Sequence, residues 1–72
     1  MIRPQPNVAK FVRLARCRLR ISQEELADAL GVSRPSIAHY ELGKTVPTGK
    51  TVLTLIGLLS EKQAASVIYE VI

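Results

Sequence analysis

Apolar residues recur along this chain at helical spacing, in segments punctuated by Gly, Ser, Thr and Pro. Val8, Val12, Ala15 and Leu19 form a stripe that Phe11 and Leu14 widen. They predict a first helix from Val8 to about Leu19, with Asn7 as its cap. Leu26, Ala27 and Leu30 repeat the spacing in Gln23–Leu30. Ser22 stands before them as an N-cap, and Glu25 three residues on completes a capping box. Gly31 then stops the helix. Ser33 caps a third helix, where Pro35 sits in the first turn and its missing N–H costs nothing. Ile37 and Tyr40 give that helix its apolar side, and Gly43 ends it. Thr48 caps a fourth helix over Gly49–Leu59, with Val52, Leu55, Ile56 and Leu59 on one face. Gly57 inside it is mildly unfavourable. Ser60 and Gln63 form another capping box before a segment reaching Ile72. Ala64, Val67, Ile68, Val71 and Ile72 fit a helical face there, yet SVIYEVI is β-branched enough for a strand. Helix is the favoured reading and strand the alternative.

Only Gly31–Ser33 joins the second helix to the third. So short a turn makes the two helices cross steeply and touch. Ala27, one turn before Gly31, is the small residue such a crossing needs, and Val32 is placed to plug the corner. This is the build of a helix-turn-helix, whose second helix is free to project into a groove. The residues SQEELA (Ser22–Ala27), LGVS (Leu30–Ser33) and SIAHYELGK (Ser36–Lys44), followed by Pro47, resemble the Cro/repressor-type (XRE, lambda-repressor-like) helix-turn-helix family. The likeness extends more weakly from about Val12 to about Leu59. It implies an all-α fold, a compact bundle of about five short helices around the central motif. The domain would span residues 8–72 behind an N-terminal arm, 1–7.

The resemblance also assigns roles residue by residue. Its recognition helix corresponds to about Ser33–Leu42, with Arg34, Pro35, Ser36, Ala38 and His39 facing base edges. Arg34 is the most informative of these, because a guanidinium can fork onto guanine O6 and N7. Gln23, Ser33, Lys44 and Thr45 fall at phosphate-contact positions. Arg16 would pair with Glu41 as a structural ion pair. One position departs from the pattern: many members carry Gly where this chain has Arg20. A left-handed backbone there would cost Arg20 about 1 kcal/mol relative to Gly; the alternative is a first helix that closes differently.

Composition narrows the partner. The chain has 72 residues, one domain's worth, with a net charge of +4. Residues 1–20 hold Arg3, Lys10, Arg13, Arg16, Arg18 and Arg20 and no acid, so the basic field arises at one end. Lys10, Arg13 and Arg18 are expected to be solvated. Double-stranded DNA is the expected partner of such a field, and an anionic membrane surface its rival. The longest apolar run, Val52–Leu59, is too short to span a bilayer, and Met1–Asn7 lacks the apolar run of a signal peptide. The single Cys17 and single histidine supply no disulfide and no metal cluster. No cofactor, paired carboxylates, nucleophile–base set or Gly-rich phosphate loop is present, which excludes an enzyme. A reducing cytoplasm, in association with the nucleoid, is the expected setting.

The C-terminus is more apolar than a monomer of this size should expose. A homodimer contact built from Val67, Ile68, Val71 and Ile72 is therefore expected. The sequence reading is a sequence-specific transcriptional regulator of phage or prokaryotic type, a repressor or autoregulator, that binds a palindromic operator as a dimer. The alternatives are an antitoxin-type autoregulator and a protein-interaction module on the same fold, with a toxin or anti-repressor as the protein partner.

Overall fold

Helix starts follow the caps. The computed structural model describes residues 6–71, which form α1 (Pro6–Leu19), α2 (Gln23–Leu30), α3 (Arg34–Leu42), α4 (Gly49–Leu58) and α5 (Glu61–Val71). The Glu25 N–H donates to Ser22 Oγ and the Ser22 N–H to Glu25 Oε1, both at 3.0 Å. Ser60 and Gln63 make the same reciprocal pair at 3.0 and 3.1 Å, and Ser33 and Thr48 cap α3 and α4. The start of α1 differs from expectation. Pro6 is already helical, because its fixed φ suits a first turn, so Asn7 lies inside the helix rather than at its cap. Residues 1–5 of the expected arm, and Ile72, lie outside the described residues.

Three helices end alike. Arg20, Gly31 and Gly43 adopt left-handed φ values of 57°, 71° and 76°. The next N–H reaches back each time: Ile21 to Arg16 O at 3.4 Å, Val32 to Ala27 O at 3.0 Å, Lys44 to His39 O at 2.9 Å. These are Schellman closures. Glycine adopts that φ freely, and a Cβ at Gly31 would meet nothing within 4 Å, so only backbone strain opposes a side chain there. Arg20 carries that strain. Arg20→Gly is expected to raise stability by ~1 kcal/mol, or about 4–8 °C in melting temperature for a domain of this size. Thermal melting followed by circular dichroism checks it, and an unchanged midpoint would mean that Arg20 recovers the cost elsewhere.

α1 lies against α3 and α5, while α2 packs on α3 and reaches α4. Their apolar faces converge on Val12, Ala15, Leu26, Ala27, Ile37, Leu55 and Leu59. Burying side chains the size of Leu26, Ile37 and Leu55 contributes about 1.5–3 kcal/mol each. Ala27, fully enclosed, lets α2 and α3 touch at the crossing, and Val32 packs against the same core.

The last segment is helical, and the described residues contain no strand. Two polar contacts hold α5 to α1, and one apolar residue of α5 is fully buried. Gln63 Nε2 donates to Arg18 O at 3.2 Å, Arg18 Nη2 pairs with Glu70 Oε1 at 2.7 Å, and Val67 is 0% exposed. The last observation corrects one expectation: Val67 is interior and unavailable to a second chain. Helical phase explains it, since Ala64, Val67 and Val71 share the inward side at i, i+3 and i+7. Ile68 (45% exposed) and Tyr69 (82%) point the other way.

Candidate nucleic-acid interface

The third helix is fixed from behind by a buried carboxylate. Glu41 is 6% exposed. It accepts from Arg16 Nε at 2.7 Å and Nη2 at 3.1 Å, the fork geometry that suits a carboxylate. Arg16 Nη1 donates further to Ile21 O at 3.1 Å, and Gln23 Nε2 to Glu41 Oε1 at 3.3 Å. Arg13 donates to the Glu41 carbonyl, one of the orphan acceptors at the end of α3. One carboxylate thus ties together α1, the start of α2 and the end of α3. Its hydrogen bond to Arg16 raises the arginine pKa further, against an opposing effect of burial. A raised basic pKa gives stability that is present below the unfolded value and lost only above the folded one. Arg16 therefore stays charged well into the alkaline range.

With Ile37 and Glu41 turned inward, the opposite side of α3 faces out. At 3.6 residues per turn, Pro35, Ala38, His39 and Leu42 form one stripe there, with Arg34 at its edge. Arg34, Pro35 and His39 are exposed and Ala38 half-buried, and Leu42 is 68% exposed. Leu42 was not among the expected contacts, though its i, i+3, i+4, i+7 relation to Ala38, His39 and Pro35 is legible in the sequence. Ser36 is half-buried instead, and its hydroxyl lies 2.9 Å from that of Ser33. Both hydroxyls serve the cap of α3 first.

The phosphate candidates divide. Lys44 and Thr45 are exposed in the loop before α4, which the buried Pro47 pins to the body. Gln23 is half-buried on Glu41, with its second N–H left to offer. Glu24 and Glu25, exposed in the same first turn, oppose an anion at that helix end.

Charge is distributed differently from the linear count. Arg13 is exposed as expected and also donates to the Glu41 carbonyl, Arg18 pairs at the surface with the exposed Glu70, and Arg16 pairs with Glu41. Two basic residues of this end, Arg16 and Arg18, are therefore paired with carboxylates from other helices. From Gly31 to Ser60 the only carboxylate is Glu41, already paired, so the exposed Arg34, Lys44 and Lys50 have no acidic neighbour within this stretch of the chain. This arrangement can present donors and positive charge to a polyanion while a helix enters a groove. Among the described residues no His, Cys, Asp and Glu group could hold a metal ion, and no helix is long and apolar enough to cross a membrane.

Comparison with known proteins agrees on the segment. Residues 12–62 match the helix-turn-helix family HTH_3. The uncharacterized HTH-type transcriptional regulator YqaE of Bacillus subtilis (strain 168) is 38% identical over 48 residues, which cover 64% of this chain and 41% of that protein. The SPbeta prophage-derived uncharacterized HTH-type transcriptional regulator YonR of the same organism is 41% identical over 49 residues, covering 65% and 45%. The Type II methyltransferase M.SsoII of Shigella sonnei shares 40% over 53 residues, 69% of this chain but only 14% of that enzyme. The chain thus spans less than half the length of these relatives. No solved structure matches it.

Proposed function

This chain belongs to the helix-turn-helix family matched by its residues 12–62, and on that premise we propose that it is a sequence-specific DNA-binding transcriptional regulator. The observation that carries the reading is the outer face of α3. A short helix, braced from behind by the Arg16–Glu41 pair, presents Arg34, Pro35 and His39 to solvent, with the half-buried Ala38 among them. A helix held so can enter the major groove with its N-terminal residues on base edges. Arg34 forks onto a guanine, His39 one turn on supplies the second polar contact, and Ser36 stands at the edge. Lys44, Thr45, Ser33 and Gln23 hold the phosphates and set the register of the helix, without reading sequence.

The regulator acts as a homodimer on a palindromic operator, as a repressor or autoregulator in the cytoplasm, and performs no catalysis. Of the residues expected at a two-fold contact, Ile68 is exposed and free to make one, whereas Val71 is half-buried on the inward side of α5. Two relatives, YqaE and YonR, are named HTH-type transcriptional regulators, which supports the regulatory role.

Selection from a random duplex pool at near-physiological salt tests the proposal. The expected product is a two-fold symmetric site with half-site centres about one helical turn apart. Arg34→Ala should then relax one position in each half-site, with a loss of ~1–3 kcal/mol in discrimination. Uniform weakening across all sequences would make Arg34 a phosphate contact. No enrichment by folded protein would favour a protein-binding module on this fold.

A further inference from the structure

We propose that Leu42 is a specificity-determining residue of the interface proposed above, and that it meets the C5-methyl group of a thymine at the end of the half-site away from Arg34. The inference rests on the DNA-binding reading and adds a base that the reading does not assign. Leu42 is a large apolar side chain left 68% exposed, and packing gives no reason for it. The inward side of α3 is Ile37 and Glu41, and Leu42 is absent from the residues packed on the core. It is the last residue of α3, directly before the left-handed Gly43.

Register supplies the reason instead. Pro35, Ala38, His39 and Leu42 stand at i, i+3, i+4 and i+7, so they share one outward face of α3, the face that would meet the floor of a major groove. From Arg34 to Leu42 the axis advances about 12 Å, which at 3.4 Å per step is about three to four base pairs. Three of the stripe's four side chains, Pro35, Ala38 and Leu42, carry no hydrogen-bond donor. The one feature of the major-groove edge that a donorless aliphatic group complements is the thymine methyl. Lys44, exposed two residues further on, places a cation where the adjoining phosphates would lie. That charge favours DNA over a second copy of the chain as the occupant.

The test uses the duplex enriched by selection, with each thymine replaced singly by uracil. The exchange removes the methyl and leaves the pairing edges intact. At one thymine per half-site, uracil should weaken wild-type binding about four-fold, the worth of one buried methyl. The penalty should vanish in Leu42→Ala and persist in Arg34→Ala. A uracil penalty equal in wild type and Leu42→Ala, or none at any position, overturns the inference and leaves the regulator reading standing. So does a Leu42→Ala protein that binds as wild type on thymine but sediments as a monomer, because Leu42 would then lie between copies. If the wild type binds no duplex at all, the regulator reading falls and this inference with it.

Discussion

Glu41→Ala is expected to destabilise the protein by about 3–5 kcal/mol, the cost of removing one partner from a buried ion pair. The carboxylate is 6% exposed and accepts three side-chain hydrogen bonds, two from Arg16 and one from Gln23. Alanine would leave the Arg16 guanidinium beside the core with only the Ile21 carbonyl to serve. A chain of 72 residues has little stability to lose. At about 4–8 °C per kcal/mol for a domain this small, the melting temperature should fall by well over 10 °C. Urea unfolding followed by circular dichroism measures the loss. A loss under about 1 kcal/mol would mean that water screens the pair as it screens surface pairs. The double variant Arg16→Met, Glu41→Leu separates the causes. If the cost of the single change is a stranded charge, replacing both partners with apolar groups should recover most of the stability.

The second large effect distinguishes two neighbours on α5. Val67→Asp is expected to abolish folding or come close to it. The site is 0% exposed, and an unpaired carboxylate cannot be buried there without a cost exceeding about 4 kcal/mol. Ile68→Asp, one residue on, should keep the helical spectrum and the melting point within a few degrees, since Ile68 is 45% exposed. Its effect should appear in sedimentation, as a loss of the proposed dimer. A folded Val67→Asp protein would refute the docking of α5 on α1. A dimeric Ile68→Asp protein would move the two-fold contact off α5, and the exposed Leu53 (70%) and Val46 (50%) would then be the apolar residues to examine.

Local chemistry carried the sequence reading a long way. Ser22 with Glu25 and Ser60 with Gln63 announce helix starts because each satisfies its own orphan donors within one turn. Gly31 and Gly43 announce helix ends because the φ they adopt is costly for other residues. The boundary at Pro6 was missed because proline can start a helix as readily as it can precede one. The α5 segment stayed open between helix and strand because Val67, Ile68 and Val71 suit either conformation. Its contacts with α1 lie 45 and 52 residues away in the chain, at Gln63–Arg18 and Arg18–Glu70. The surface partners of Arg13 and Arg18 were not legible for the same reason, since the Glu41 carbonyl and the Glu70 carboxylate come from other helices.

The sequence by itself determined the helices of the motif, the sharp turn between α2 and α3, and the stripe of α3 that faces outward. These follow from caps, glycines and a period of 3.6, all of which act within a few residues. Only the tertiary structure decided which charges pair with one another and which remain for a partner, and that Val67 turns inward while Ile68 turns outward. Burial and charge pairing are properties of what the chain brings alongside a residue from far away, and near neighbours in sequence do not fix them.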